Sequence, residues 1–244
     1  MRLDSEIARR GLVKSRSQAE QEIDFGNVAV NGKIVTKSSF LVSGTDKIRL
    51  IKKNPYVSRA GLKLASVAGF FDLGFKNKIV LDVGSSTGGF TDFALQSGAK
   101  QVVAVDVGTA QMHPKLRSDK RLQLHEKTDI RSFATIDRYR KFLSIADIIL
   151  IDVSFISLRE VLPAISQLSN SQTHLLAMCK PQFEAGSSQT NKGVVKNEKI
   201  RRDIFQNFEL WLKDHYFIIV SKRDSEIAGE KGNRERFYLL KIKN

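Results

Sequence analysis

One cysteine in 244 residues leaves no internal disulfide to form and fits a reducing, cytoplasmic setting. Long apolar runs are missing too: the longest, such as Ile148–Ile151 and Leu175–Cys179, reach four or five residues. A membrane-spanning helix needs roughly 20, so none is expected, and the opening MRLDSEIARRGL has no apolar stretch of the secretory type. The four histidines (His113, His125, His174, His215) show no ligand spacing with cysteine or acids, so no metal is expected. Acid is scarce relative to base, with 26 Asp+Glu against 40 Lys+Arg and a net charge of +14. That excess points to a polyanion as partner. The remainder, 41% hydrophobic and 27% charged, is ordinary globular composition and excludes wholesale disorder.

The charge is unevenly placed. Residues 1–63 carry 13 basic and 6 acidic side chains, and the other 181 carry 27 and 20, so about a quarter of the chain holds half of the excess. A small basic module ahead of a larger body follows, with boundaries at 1–51 and 58–244 and a linker over 52–57 around Pro55. In the first module Leu3, Ile7 and Leu12 form one apolar stripe that Gly11 can end. Ser15 or Ser17 can cap a second helix through Ala19 and Ile23, which Gly26 stops. Val28–Val30, Asn31-Gly32 and Lys33–Val35 read as a hairpin, and Asp46–Ile51 as a closing strand. Arg9, Arg10, Lys14 and Arg16 cluster at the first helix end and the turn between helices, with Lys33 and Lys37 on and after the hairpin and Arg59 beyond the linker. These seven are the expected contacts with the polyanion.

The second module alternates short apolar strands with amphipathic segments: Ile79–Val83, Gln101–Val105, Leu122–His125, Asp147–Ile151, Leu175–Cys179, Phe217–Ser221 and Phe237–Lys241. Alternation of this kind predicts an α/β, Rossmann-like, seven-stranded and mostly parallel sheet. The short connection between the last two strands makes them an antiparallel pair at one edge. Ligands of such sheets bind outside the carboxyl ends of strands. The first strand leads into DVGSSTGGFTD (Asp82–Asp92), a glycine loop without the G-x-G-x-x-G of dinucleotide sites, since Ser86 replaces the second glycine. The second ends in Asp106, placed to accept from ribose hydroxyls, and the third is followed by Asp129, placed to accept from an adenine amino group. Each acid alone could equally be a helix-capping carboxylate. Together with Gly84 and Gly88 they describe a nucleoside pocket without a phosphate clamp, which suits S-adenosylmethionine. Ser85, Thr87 and Phe90 in the loop, with Val107 and Ile130 beside the acids, complete the expected cofactor set.

The fourth and fifth strands end in Asp152 and Lys180, while Lys63 precedes the first strand and Glu235 enters the last. Converged, this Lys–Asp–Lys–Glu set could catalyse methyl transfer to a ribose 2′-hydroxyl, an in-line displacement that needs its nucleophile aligned and relieved of a proton. Taken one by one, the four could equally be unrelated surface charges. Cys179, at the end of an apolar strand, reads as a core residue rather than a catalytic thiol, and Trp211 with Phe208, Leu212 and Phe217 as core packing.

Two resemblances sharpen this reading. GLVKSRSQAEQEIDFGNVAVNG resembles the alpha-L RNA-binding domain named after small-subunit ribosomal protein four, an α+β unit that presents basic side chains to folded RNA. SRAGLKL, DVGSSTGGFTD, VDVG, KLRSDKR, EKTDIR, IDVSFISL, CKPQFEAG, KGVV and GNRERF, in order along the chain, resemble the TlyA family of ribosomal RNA ribose methyltransferases, whose core is similar to the FtsJ type. The resemblance implies a catalytic tetrad of Lys63, Asp152, Lys180 and Glu235, and cofactor contacts from Asp82, Gly84, Gly88, Asp106 and Asp129. It further implies methylation of cytidine 2′-hydroxyls in large-subunit RNA within ribosomal subunits, with small-subunit RNA a second target in longer members, and a link to capreomycin susceptibility. The chain reads as the short form of the family, and its KKNPYVS linker lacks the tryptophan of some long members. A monomer is expected. Two other readings stand beside this one: a non-catalytic rRNA-binding or assembly factor, and a membrane-active haemolysin, against which the lack of a spanning or strongly amphipathic helix speaks.

Overall fold

A computed structural model of the chain describes residues 1–24, 26–51, 55–137, 146–186, 189–190, 193–229 and 232–243. Residues 52–54 of the expected linker lie outside them. The chain forms two compact units, Met1–Arg59 and Ala60–Asn244.

The first unit comprises α1 (Leu3–Arg9), α2 (Arg16–Asp24), β1 (Val28–Val30), β2 (Lys33–Ile34) and β3 (Ile48–Leu50). Ser15, not Ser17, caps α2: its hydroxyl accepts from the Gln18 N–H at 3.1 Å. Asn31 and Gly32 have φ of 51° and 84°, the left-handed pair that a two-residue hairpin needs. β1 is central, antiparallel to β2 and β3. Leu3, Ile7, Ala19 and Ile23 pack on Val28, Val30, Val42 and Ile48, so the stripe read from sequence is the core of this unit.

The second unit opens with α3, which begins at the boundary (Arg59–Ala68). β4 (Ile79–Val83), α4 (Gly89–Gln96), β5 (Gln101–Val105), α5 (Pro114–Arg117), β6 (Leu122–His125), α6 (Ile130–Phe133), β7 (Ile148–Ile151) and α7 (Leu158–Ser166) follow. The chain ends with β8 (His174–Cys179), α8 (Pro181–Glu184), α9 (Glu198–Asp214), β9 (Phe217–Asp224) and β10 (Arg236–Ile242). The sheet order is β6-β5-β4-β7-β8-β10-β9. Every residue of β7 (IILI) is buried, the mark of a central parallel strand covered on both faces. Phe208, Leu212 and Phe217 lie in the main core with Cys179, and Trp211 packs against it, stacked on Phe208. Among the described residues no helix is long and apolar enough to cross a membrane.

One topological detail positions the chemistry. The antiparallel edge pair is β9 and β10, and the reversed strand is β10, one place in from the edge. Because β10 runs against β8, its start lies beside the end of β8, with Arg236 opposite Cys179. Glu235 therefore sits next to Lys180, at the carboxyl ends of the parallel strands.

Candidate active site

At that end of the sheet two cavities lie side by side. The first, about 290 Å³, is lined by Gly84 and Ser86 after β4, Asp106 and Val107 after β5, Asp129 and Ile130 after β6, and Asp152–Ile156 after β7. The second, about 350 Å³, is lined by Lys63, Asp152, Lys180 and Glu235, with Ser154, Phe155 and Asn233 among its other walls. Asp152, Ser154 and Phe155 belong to both. Four residues spread over 172 positions of sequence thus converge on one hollow.

The tetrad is two ion pairs. Lys63 Nζ donates to Glu235 Oε1 at 2.9 Å, with both side chains buried. Lys180 Nζ approaches Asp152 Oδ1 at 2.6 Å, off the angle of a hydrogen bond, and donates to Ser154 Oγ at 2.7 Å. Two ammonium groups facing two carboxylates make the hollow neutral as a set, which is what lets the charges sit at low exposure. Glu235 Oε2 is buried and has no hydrogen-bond partner among the described residues. The residue itself belongs to the wall of the second cavity. Asn233, two residues upstream, fastens that wall: its side chain accepts from the Val195 N–H and donates to the Gly193 carbonyl, each at 2.9 Å.

In the first cavity Asp106 is held rigidly, Oδ2 accepting from the Ser86 N–H at 2.8 Å and Oδ1 from the Gly108 N–H at 2.6 Å. Asp129 is the cap of α6 and is clasped by the Arg131 guanidinium at 2.6 Å, which holds its carboxyl below the usual carboxylate range. Five of the ten expected cofactor residues line this cavity: Gly84, Asp106, Val107, Asp129 and Ile130. The other five do not. Asp82 is fully buried and accepts from the Thr91 hydroxyl at 2.6 Å. Ser85 is buried, Thr87 is exposed, Gly88 caps α4, and Phe90 is buried near Phe237. Sequence reasoning missed Ser86, Gln111, Thr128, Ser154 and Phe155. Ser154 and Phe155 were within reach of the same strand-end argument that found Asp152, being its near neighbours. Phe155 is 93% exposed with φ of 64°, and it meets Phe183 at 5.3 Å between ring centres.

Burial pushes the Asp82 carboxyl up to about 7, opposed by the Thr91 hydrogen bond and reinforced by Asp152 and Asp106. A raised folded pKa means that the folded state binds more protons between about pH 4 and 7, so this group's contribution to stability falls as pH rises through that window. Asp82→Asn is expected to flatten the fall in melting temperature between about pH 4 and 7. Unchanged slopes in thermal melts of the two proteins would refute that role.

In the first unit Lys14, Lys33 and Lys37 are exposed. Arg9 pairs with Glu6 at 2.7 Å, and Arg16 with Asp4 at 3.0 Å. Arg10 is committed to the fold, donating to the carbonyls of Asp46 and Gly44 as well as to Glu6. Arg59 is half-buried and donates to the Asp24 carbonyl at 3.2 Å.

The fold and the paired cavities define a methyltransferase of the FtsJ-like class. The FtsJ-like methyltransferase family matches residues 56–242, and the S4 domain residues 1–48. Over its whole length the chain is 34% identical to the whole of a Campylobacter jejuni 23S rRNA (cytidine-2'-O)-methyltransferase TlyA. It is 39% identical to Hemolysin A of Brachyspira hyodysenteriae, covering 96% of this chain and 97% of that one. A solved Streptococcus thermophilus structure described as a hemolysin superposes with a TM-score of 0.77 at 35% identity, covering 100% of this chain and 89% of the other. The chain belongs to the TlyA family.

Proposed function

We propose that the protein uses S-adenosylmethionine to methylate the ribose 2′-hydroxyl of a cytidine in large-subunit ribosomal RNA. The observation that carries this reading is the shared wall of the two cavities, which sets a hollow lined by Asp106 and Asp129 against one lined by two lysines and two carboxylates. The first hollow fits the cofactor: Asp106 is fixed by two backbone N–H groups with lone pairs left for ribose hydroxyls, and Gly84 leaves room where any side chain would strike Asp152. When bound, the cofactor supplies an electrophilic methyl group on a sulfonium.

The chain's residues supply the rest. Lys180 first gives a proton to solvent, then as the neutral amine takes the proton of the attacking hydroxyl while the new O–C bond forms and the C–S bond breaks. Asp152 and Ser154 hold its Nζ in place. Lys63 and Glu235 line the hollow that takes the ribose, and Phe155 offers a face for the base. The S4 unit carries the RNA through its basic side chains.

Labelled methyl transfer to unmodified large and small subunits, assayed separately, tests this. Label should enter large-subunit RNA and survive alkali as a resistant dinucleotide. Label in a base, or none in either subunit despite tight RNA binding, overturns it.

A further inference from the structure

The first unit holds two buried carboxylates, and they do different things. Asp4 is fully buried in the first turn of α1, where an uncompensated charge is strongly disfavoured. It is compensated from two elements. Arg2, at the N-terminal boundary of α1, donates from Nε at 3.1 Å to Oδ1 and from Nη2 at 2.8 Å to Oδ2. Arg16, the first residue of α2, donates from Nε at 3.0 Å to Oδ2. The Ser5 N–H adds a bond at 2.7 Å, and the guanidinium of Arg2 holds the Asp4 carboxyl well below the usual range. Yet the two arginine side chains remain 44% and 55% exposed. The Nη1 groups of both have no protein partner among the described residues.

Glu6 shows the contrast. It too collects two arginines, Arg9 and Arg10, but Arg10 continues into the carbonyls of Asp46 and Gly44 and so ties the fold together. At Asp4 neither arginine goes on to a backbone carbonyl.

We propose that Asp4 is a positioning residue for RNA binding, which sets Arg2 and Arg16 side by side as a ready pair for the phosphodiester backbone of folded RNA. This rests on reading the S4 unit as the RNA-binding part. Glu20, on α2, also approaches Arg16, its Oε1 3.6 Å from Nε, so the grip of the cluster comes from fixed donors rather than from excess charge. The Nε edges are occupied by Asp4, which fixes both planes while leaving donors for phosphate oxygens. An arginine held this way loses little freedom when it binds, whereas a free one must be ordered first. Arg2, which sequence reading did not single out, thereby joins Arg16 as a contact.

The test turns on sign. Asp4→Asn raises the net charge, so bulk attraction alone predicts tighter RNA binding. Positioning predicts the reverse. With the full-length chain and purified large ribosomal subunits, Asp4→Asn should weaken binding by about tenfold near ~0.15 M salt and lower the salt slope by about one. S-adenosylmethionine affinity should be unchanged. To separate positioning from a loosened fold, the same substitution is made in a chain already carrying Arg2→Ala and Arg16→Ala. There it should have no further effect on binding, because nothing is left to position. Unchanged or tighter binding by Asp4→Asn, or an equal penalty in the double-arginine background, overturns the proposal. Wild-type affinity in the Arg2→Ala/Arg16→Ala chain itself, or no binding by the wild type, would instead overturn the reading of this surface as RNA-binding.

Discussion

Replacing Lys180 by methionine is expected to lower the single-turnover rate of methyl transfer by about 10³-fold, with S-adenosylmethionine affinity kept within a few-fold. Methionine keeps an apolar stem of similar length, and the ammonium, which lies 6.0 Å from the centre of the Phe183 ring, is what goes. Two features make this the decisive group. Lys180 is the first residue after β8, at the carboxyl end of the sheet, and its Nζ touches both Asp152 and Ser154, which line the cofactor cavity as well. Lys63, by contrast, is engaged with Glu235 and is absent from the walls of the cofactor cavity. Ser154→Ala removes one acceptor and leaves the ion pair, so it should slow transfer by no more than about tenfold. The readouts are label transfer at saturating RNA and calorimetric titration of the cofactor. A Lys180→Met protein that transfers at roughly a tenth of the wild-type rate or better would move the proton-accepting role elsewhere, to Lys63 in the first instance.

Much of the architecture was legible because its signals are local. β4, β5 and β6 run over the residues that their apolar patterns mark, and the Asn31-Gly32 turn is where the hairpin signature puts it. Strand ends were the least legible: β9 extends to Asp224, three residues past the expected end at Ser221, because pairing with β10 rather than hydropathy sets its length. The site was legible as a set of strand-end residues and illegible as a set of contacts. Lys63 and Glu235 lie 172 residues apart, and only the reversal of β10 between β8 and β9 brings them together. Asp82 shows the other limit. It is an acid in a motif, yet it belongs to the interior of β4 and bonds to Thr91 on α4, and no local pattern reveals which face of a strand meets a helix. The same holds for Arg10 and Arg16, neighbours in the sequence-level charge cluster. One is bound into the fold through carbonyls, and the other stands half-exposed on a buried acid.

The second large effect is expected at Gly84. Alanine there should reduce S-adenosylmethionine affinity by about 100-fold or more and abolish transfer at ordinary cofactor concentrations. The residue has φ of +82°, where a side chain costs about 1–2 kcal/mol by itself. Collision costs more than this strain: a Cβ would come within 2.5 Å of the Asp152 carbonyl oxygen and 2.9 Å of its carbon. Both are backbone atoms at the end of a buried central strand, so neither can swing aside as the tip of a side chain would. Either the loop after β4 lifts or the end of β7 is pushed back. The first narrows the cofactor cavity, and the second moves Asp152 and Ser154 away from Lys180. Gly98 separates strain from collision. It has φ of +88°, but a Cβ there would meet Lys76 at an ordinary 3.5 Å. Gly98→Ala should therefore lose about 1–2 kcal/mol of stability while binding the cofactor as the wild type does. Calorimetric affinities and melting temperatures of the two variants give the comparison. Equal cofactor affinities would mean that the loop after β4 yields without cost, and that the close approach of Gly84 to Asp152 does not set the shape of the pocket.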